Sequence, residues 1–147
     1  MAKLNGVLSS VNFAILTGVL INGTTNVNGV TGGLYFGGGT GTNVVEKNFI
    51  HSLQAADGAT TATVYGIRIA SGATSYSNNI ITLGGSTQST IYGIYETGAL
   101  NNNNNIWYNT VYIGGAPAAG AQNSYALYNA AISPTRDLPT ILLHIGL

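Results

Sequence analysis

The chain has very little charge. Only 5% of its 147 residues are Asp, Glu, Lys or Arg, against about 25% in a typical soluble domain. The four basic and four acidic side chains cancel, so little electrostatic repulsion separates one copy from another, and self-association is favoured. Nucleic-acid binding needs clustered Lys and Arg, but the basic residues are scattered at Lys3, Lys47, Arg68 and Arg136. We therefore expect no nucleic-acid partner.

Cysteine is absent, which excludes disulfides, thiolate metal sites and cysteine nucleophiles. The two histidines, His51 and His144, are far apart in the sequence and make a poor zinc site. No apolar run reaches the roughly 18 to 20 residues of a membrane-spanning helix, because polar residues interrupt the longest candidate, residues 11–21. We expect no metal, no cofactor and no membrane span.

Residues suited to catalysis are equally sparse. The carboxylates are well separated along the chain, at Glu46, Asp57, Glu96 and Asp137. Ser52 follows His51 but lacks a Gly-x-Ser-x-Gly motif around it. The glycine-rich residues 37–41 lack the Lys of a phosphate-binding loop. The sequence therefore predicts a protein that is not an enzyme.

What the chain does contain is an internal repeat, with two elements that alternate. The first element is Thr-Val-Tyr-Gly-Ile at residues 63–67 and Thr-Ile-Tyr-Gly-Ile at residues 90–94, with Tyr65 and Tyr92 27 residues apart. Weaker copies occupy residues 33–36 and 124–128. The second element is an Asn followed by apolar residues, at Asn48, Asn79 and Asn105. Loops of variable length, rich in Gly, Ala, Ser and Asn, separate the elements.

Both elements are short and rich in β-branched and aromatic residues, which is typical of strands. The frequent glycines and the absence of helical periodicity argue against helices. A repeat near 30 residues with several strands predicts an all-β parallel β-helix, a β-solenoid of about four to five irregular coils. The alternative is a β-sandwich or jelly roll. We expect one domain over residues 1–147, with an N-terminal coil or edge strand (1–32), repeat coils (33–130) and a C-terminal edge strand (131–147).

In a parallel β-helix, equivalent residues of successive coils stack about 4.8 Å apart into ladders. The repeat predicts a tyrosine ladder, an asparagine ladder and an apolar column of Ile67, Ile94 and Leu127. The asparagines are expected at turns, where Asn tolerates positive φ and stacked amides bond from rung to rung. The ladder residues are Tyr35, Tyr65, Tyr92 and Tyr125, and Asn48, Asn79 and Asn105.

Three segments of the chain together carry a family resemblance. They are residues 78–99, NNIITLGGSTQSTIYGIYETGA, and further along the chain NNNNNIWYNTVYIGGA and NSYALYN. They resemble right-handed β-helix repeats of large secreted and cell-surface proteins of Gram-negative bacteria. The resemblance covers roughly residues 33–130. It implies a scaffold and an extracellular or cell-surface location, and it does not imply an activity. Those relatives are usually much longer and often carry adhesin modules.

The two terminal segments are among the most apolar parts of the chain, and uncapped strand edges pair readily with other copies. The sequence therefore predicts a structural, self-assembling extracellular filament or surface-fibre subunit. Its copies would join head to tail, through strand edges or by exchange of a terminal strand. The predicted assembly interface comprises Val11, Phe13, Ile15, Leu16, Val19, Ile21, Ile141, Leu142, Leu143 and Ile145.

Two alternatives remain open. A carbohydrate-binding or polysaccharide-cleaving β-helix would present an aromatic strip to a glycan, formed by Tyr95, Trp107, Tyr108 and Tyr112. Alternatively, the chain is a fragment of a larger adhesin.

Overall fold

The computed structural model describes residues 7–9, 15–17, 20–22, 25–27, 30–38, 42–56, 63–70, 73–84, 89–97, 104–115, 123–130 and 141–145. The regular secondary structure within these residues consists of strands. The strands are β1 (Val7–Ser9), β2 (Ile15–Thr17), β3 (Leu20–Asn22), β4 (Thr25–Val27), β5 (Val30–Gly38), β6 (Thr42–Glu46), β7 (Phe49–His51), β8 (Gln54–Ala56), β9 (Thr63–Ile69), β10 (Ala73–Ser77), β11 (Ile80–Gly84), β12 (Thr90–Glu96), β13 (Asn105–Trp107), β14 (Asn109–Gly114), β15 (Ser124–Asn129) and β16 (Ile141–Ile145).

The strands form parallel sheets. Sheet I has the order β1-β5-β9-β12-β15, sheet II β13-β10-β6-β2, sheet III β16-β14-β11-β7-β3, and the two-stranded sheet IV pairs β4 with β8. Consecutive strands enter the sheets in turn, so that β9, β10 and β11 belong to sheets I, II and III, as do β12, β13 and β14. The prediction of an all-β chain with parallel sheets is confirmed. A β-sandwich or jelly roll depends on antiparallel pairs, whereas the pairings between described strands are parallel.

The buried core lies along columns of residues that share a register position. In sheet III, Ile81 is in register with Ile50 on one side and Val111 on the other. In sheet II, Tyr76 is in register with Val45 and Ile106. These six side chains are buried. The strands that carry these residues therefore contribute their inward faces to one apolar core.

Sheet I carries the predicted apolar column. Ile94 is in register with Ile67 and Leu127, and Leu34 precedes Ile67 in the same column. Leu34, Ile67 and Ile94 are fully buried, and Leu127 on the outermost described strand is partly buried against the core. The repeat in the sequence thus corresponds to rungs of this sheet.

Alternation of buried and exposed side chains is interrupted once in β9 and once in β12. In β9, Gly66 and Ile67 are both buried, so Tyr65 and Arg68 lie on the same outer side of the strand. The same break occurs at Gly93 and Ile94 in β12. Residues three apart would face opposite ways in a regular strand, so this irregularity decides which side chains share the outer face of sheet I.

Within the described ranges, no helix has the length and apolar character required to cross a membrane.

Candidate functional site

An asparagine ladder runs through three rungs where the chain passes from sheet II to sheet III. The amide Nδ2 of Asn48 donates to Oδ1 of Asn79 at 2.8 Å, and Nδ2 of Asn79 donates to Oδ1 of Asn109 at 2.8 Å. All three residues are buried. The third member predicted from the sequence, Asn105, lies instead in β13, in register with Ser75 of sheet II. Asn109 takes its place in the ladder.

The amides of Asn79 and Asn109 also bond to backbone groups of neighbouring rungs. Oδ1 of Asn79 accepts from the backbone N–H of Asn48 at 3.2 Å, and its Nδ2 donates to the carbonyl of Val45 at 3.0 Å. Asn109 repeats the pattern, since its Oδ1 accepts from the backbone N–H of Asn79 and its Nδ2 donates to the carbonyl of Tyr76. The ladder thus satisfies buried backbone groups at a corner where the sheet pairing is interrupted.

Positive φ occurs one residue before each ladder asparagine. Lys47, Asn78 and Tyr108 have φ of 56°, 54° and 54°, and the asparagines that follow them are not in this region. The expectation that the ladder asparagines themselves adopt positive φ is therefore wrong. The left-handed residue turns the chain, and the following asparagine bridges the rungs. The repeating signal Asn-x-Ile/Val, at Asn48, Asn79 and Asn109, distinguishes these residues from Asn105.

The outer face of sheet I carries two columns of aromatic side chains. In the first column Tyr92 is in register with Tyr65 and with Tyr125. The ring centroids are 5.2 Å apart in both pairs, with interplanar angles of 11° and 10°. The predicted fourth member, Tyr35, is not in this column, because Gly32 is the residue in register with Tyr65.

Tyr35 belongs to the second column, three residues further along each strand. Arg68 is in register with Tyr35 on one side and Tyr95 on the other, and Tyr95 with Tyr128. The Tyr95 and Tyr128 rings are stacked with centroids 5.4 Å apart. The Arg68 guanidinium lies over the rings of Tyr35 and Tyr65, at 5.2 and 5.3 Å from their centroids, a cation–π arrangement.

The two columns contact one another edge to face. Tyr92 packs against Tyr95 and Tyr128 with centroid separations of 4.7 and 5.3 Å, and Tyr65 and Tyr125 make similar contacts. We call this group, Tyr65, Tyr92, Tyr95, Tyr125 and Tyr128, the tyrosine cluster. The repeat indicated only its first column. The signal for the second is the Tyr-x-x-Tyr spacing in β12 and β15, read together with the break in alternation at the glycine.

Packing within the cluster alters its acid–base behaviour. Burial raises the pKa of the Tyr92 hydroxyl, and the neighbouring tyrosines raise it further. Burial also raises the pKa of Tyr65, although the positive charge of Arg68 opposes this effect. Both hydroxyls therefore stay protonated up to a higher pH than an isolated tyrosine, whose pKa is about 10.

A second polar group lies inside, where sheets I and II approach each other. Glu96 has 0% exposure, and its Oε1 accepts from Nδ2 of Asn104 at 3.1 Å. Oδ1 of Asn104 in turn accepts from the backbone N–H of Thr74 at 3.0 Å. Burial raises the pKa of nearby Tyr76 far above its ordinary value, a hydrogen bond with Thr74 lowers it, and the charge of Glu96 raises it. This network ties β10, β12 and the start of β13 together.

Replacing Glu96 tests what this network contributes. Glu96→Gln keeps the shape and the oxygen that accepts from Asn104, and we expect a change in the free energy of unfolding below about 1 kcal/mol. Glu96→Ala removes the acceptor and leaves a cavity, and we expect a loss of about 3 kcal/mol. Urea denaturation followed by circular dichroism measures both. Equal losses in the two variants would contradict a hydrogen-bonding role and point to the negative charge itself.

The residues of the predicted glycan strip lie in three sheets and a turn. Tyr95 lies in β12 of sheet I, Trp107 in β13 of sheet II, and Tyr112 in β14 of sheet III, while Tyr108 occupies the turn between β13 and β14. Tyr108 is the most exposed of the four, at 60%. The four aromatic residues therefore face outwards from different sheets, and only Tyr95 joins the aromatic surface of sheet I.

The predicted assembly residues lie partly in edge strands. Val11, Phe13 and Val19 fall outside the described residues. Ile15 and Leu16 belong to β2 and Ile21 to β3, which end sheets II and III on one side. Ile141, Leu142, Leu143 and Ile145 belong to β16, which ends sheet III on the other side. The two edge strands of sheet III share one register. Ile21 and Leu143 lie at the opposite ends of the column that contains Ile81.

Potential catalytic groups are few in the described part of the chain. Nδ1 of His51 is 2.8 Å from Oγ of Ser52, and Phe49 stacks on the His51 ring. Asp57, the third candidate nearby in sequence, lies outside the described residues. Among the residues that the structure describes, no group of three or more His, Cys, Asp or Glu side chains is placed to hold a metal ion.

Comparison of the chain with protein-family models, with curated proteins and with solved structures finds no match. The function is therefore inferred from the geometry of the ladders and of the strand edges.

Proposed function

We propose that the chain is a parallel β-solenoid that serves as a non-enzymatic structural subunit, assembling end to end outside the cell. The solenoid is supported by the order in which strands enter sheets I, II and III, and by ladders that join successive rungs. The extracellular location is supported by the resemblance to secreted β-helix repeats. The low charge and zero net charge support self-association.

The observation that carries the proposal is the outer edge of β15. Among the described strands, β15 pairs in sheet I with β12 alone. The carbonyl of Asn123 accepts from the N–H of Ile91, and the N–H of Ala130 donates to the carbonyl of Glu96. In each peptide unit the C=O and N–H point in opposite directions, so the N–H of Ser124 points away from β12. This donor lies on the outer edge of the sheet, where an added strand can accept its hydrogen bond.

The side chains along β15 also suit continuation of the sheet. Tyr125 and Tyr128 end the two aromatic columns, and Leu127 ends the apolar column. Tyr92 and Tyr95 of β12 stack against these two tyrosines with ring centroids 5.2 and 5.4 Å apart. Another rung would repeat this spacing. No Lys, Arg, Asp or Glu occurs in β15 to oppose the approach of a second copy. Edge strands that avoid such pairing commonly carry charge or proline.

The substitution Ser124→Pro tests this edge directly. It removes an N–H that points outwards and leaves the bonds between β12 and β15 in place. We expect filaments of the unmodified protein in electron microscopy, with a fibre-diffraction spacing near 4.8 Å, and a loss of filaments of at least about tenfold in Ser124→Pro. Ser124→Ala keeps the N–H and is the matched control, expected to assemble normally.

Two results would contradict the proposal. Monomers of the unmodified protein at high concentration under native conditions would exclude self-assembly as its function. Filaments of Ser124→Pro that match those of Ser124→Ala would exclude the β15 edge as the joint. Specific binding to a glycan array by a protein that stays monomeric would instead favour the carbohydrate-binding alternative.

A further inference from the structure

The tyrosine cluster brings several phenol rings into contact on the outer face of sheet I. Neighbouring rings from successive strands are nearly parallel, with interplanar angles of 11° for Tyr65 and Tyr92, 10° for Tyr92 and Tyr125, and 8° for Tyr95 and Tyr128. Because the strands are in register, equivalent rings of successive strands are neighbours. Their centroids are 5.2 to 5.4 Å apart, which places the ring edges, with the carbon atoms ortho to the hydroxyls, beside one another.

The cluster is also accessible. Four of its rings are half-buried and Tyr128 is 37% exposed, so a soluble oxidant reaches them without unfolding. The exposed Tyr128 side chain changes rotamer on the picosecond to nanosecond scale, which lets its ring edge tilt towards Tyr95. Neither Tyr76 nor Tyr108 shares this combination, because Tyr76 is fully buried and Tyr108 is exposed at a turn outside the cluster.

We propose that the tyrosine cluster is a site of oxidative cross-linking, at which dityrosine bonds covalently join β9, β12 and β15. The co-reactant is a one-electron oxidant, for example a haem peroxidase that consumes hydrogen peroxide. One electron and one proton leave each of two tyrosine hydroxyls, and the two phenoxyl radicals form a carbon–carbon bond between their ortho carbons. The hydrogens on those carbons move to the phenol oxygens. The product is lighter by two hydrogens, and one peroxide becomes two waters.

This cross-link is independent of the assembly proposed above, because all of its partners lie in one chain. It also gives a function to the tyrosine hydroxyls on the outer face of sheet I, which ordinary packing does not require. Packing requires aromatic rings, which Phe also supplies, whereas coupling requires the hydroxyls. Tyrosine, and not phenylalanine, occupies both column positions in β12 and β15 and the first-column position in β9, where Arg68 takes the second. A bond between rungs restricts the conformations of the unfolded chain, as a disulfide does, and so raises the free energy of unfolding.

The experiment oxidises the dilute protein with horseradish peroxidase and hydrogen peroxide, then denatures it and digests it with trypsin. Arg68 lies between Tyr65 and Tyr92, so cleavage separates a peptide of residues 48–68 from one of residues 69–136. A Tyr65–Tyr92 bond keeps these two peptides joined, with a mass two hydrogens below their sum. Further digestion with chymotrypsin and tandem mass spectrometry locates bonds within residues 69–136.

We expect intrachain dityrosine confined to the cluster, with a higher melting temperature after oxidation. Tyr92→Phe keeps the ring packing but removes the stacked partner of Tyr65 and Tyr125, so the yield of joined tryptic peptides and the total dityrosine fluorescence should each fall at least threefold, the remaining joined peptides being linked through Tyr95. Tyr108→Phe, the matched control for an exposed tyrosine outside the cluster, should leave both signals unchanged. Circular dichroism confirms that each variant is folded. Bonds spread over Tyr108 and Tyr112, or oxidation without coupling, would overturn the proposal.

Discussion

Asn79→Asp should lower the free energy of unfolding by about 4 kcal/mol, a large part of the stability of a domain of this size. The Asn79 amide donates to Asn109 Oδ1 and to the Val45 carbonyl, at 2.8 and 3.0 Å. Aspartate has the same shape but no N–H, so its oxygen would face two acceptors without a proton between them. The residue is fully buried, and water cannot replace the lost donors. Guanidinium denaturation measures the loss.

The neighbouring residue supplies the control for this prediction. Asn78 is exposed and has a φ of 54°, a conformation that Asp also tolerates. Asn78→Asp introduces the same charge one position away, and we expect its stability to stay within about 0.5 kcal/mol of the unmodified protein. If the two variants unfolded at the same denaturant concentration, the asparagine ladder would not be an important source of stability.

Gly66→Ala should lower the free energy of unfolding by about 3 kcal/mol, although Gly-to-Ala changes at compatible sites usually stabilise by about 0.4 to 1 kcal/mol. A Cβ atom at Gly66 would lie 2.5 Å from the carbonyl oxygen of Gly93 and 2.5 Å from Cγ2 of Ile81. The carbonyl belongs to the backbone of the next rung and cannot move without disturbing the pairing of β9 with β12. Thermal unfolding and guanidinium denaturation both report the effect.

A third position in the column of Gly66 and Gly93 supplies the control for this prediction. Ala126 of β15 occupies the position equivalent to Gly93, between the registered residues Tyr125 and Leu127. β15 is the outermost described strand of sheet I on that side. No further described rung presents a carbonyl to its Cβ. Ala126→Gly should cost only about 1 kcal/mol, from the greater freedom of the unfolded chain and one lost methyl group. A Gly66→Ala variant no less stable than Ala126→Gly would show that adjacent rungs separate easily.

Strand identity and the spacing of the rungs were predictable from the sequence because they depend on local composition. Thr-Val-Tyr-Gly-Ile and Thr-Ile-Tyr-Gly-Ile are 27 residues apart and form the registered strands β9 and β12. Two similar segments that both favour extended backbone pair in parallel register when each aligned position has the same size and polarity. The column of Tyr65, Tyr92 and Tyr125 follows from that match.

The position of Tyr35 was not predictable in the same way. Aligning it with Tyr65 pairs like with like, but it places Gly33 opposite a residue on the outer face of β9. A Cβ at Gly33 would lie 2.8 Å from the carbonyl oxygen of Gly66, so close approach of the two backbones requires glycine here. The register therefore aligns the two glycines and moves Tyr35 next to Arg68. The match of Gly33-Leu34 with Gly66-Ile67, which the close approach of the two backbones requires, outweighed the match of the tyrosines.

The sequence by itself determined the class of structure, because low charge, β-branched strands and a repeat near 30 residues suffice to specify parallel rungs with a shared apolar column. Tertiary structure alone decided which polar residues meet. Asn109 replaces Asn105 in the ladder because the turn at Tyr108 places its amide against Asn79. Likewise, the second tyrosine column exists because consecutive buried residues at each rung bring side chains three apart onto one face. Contacts between rungs depend on a register that is established only when the sheets form.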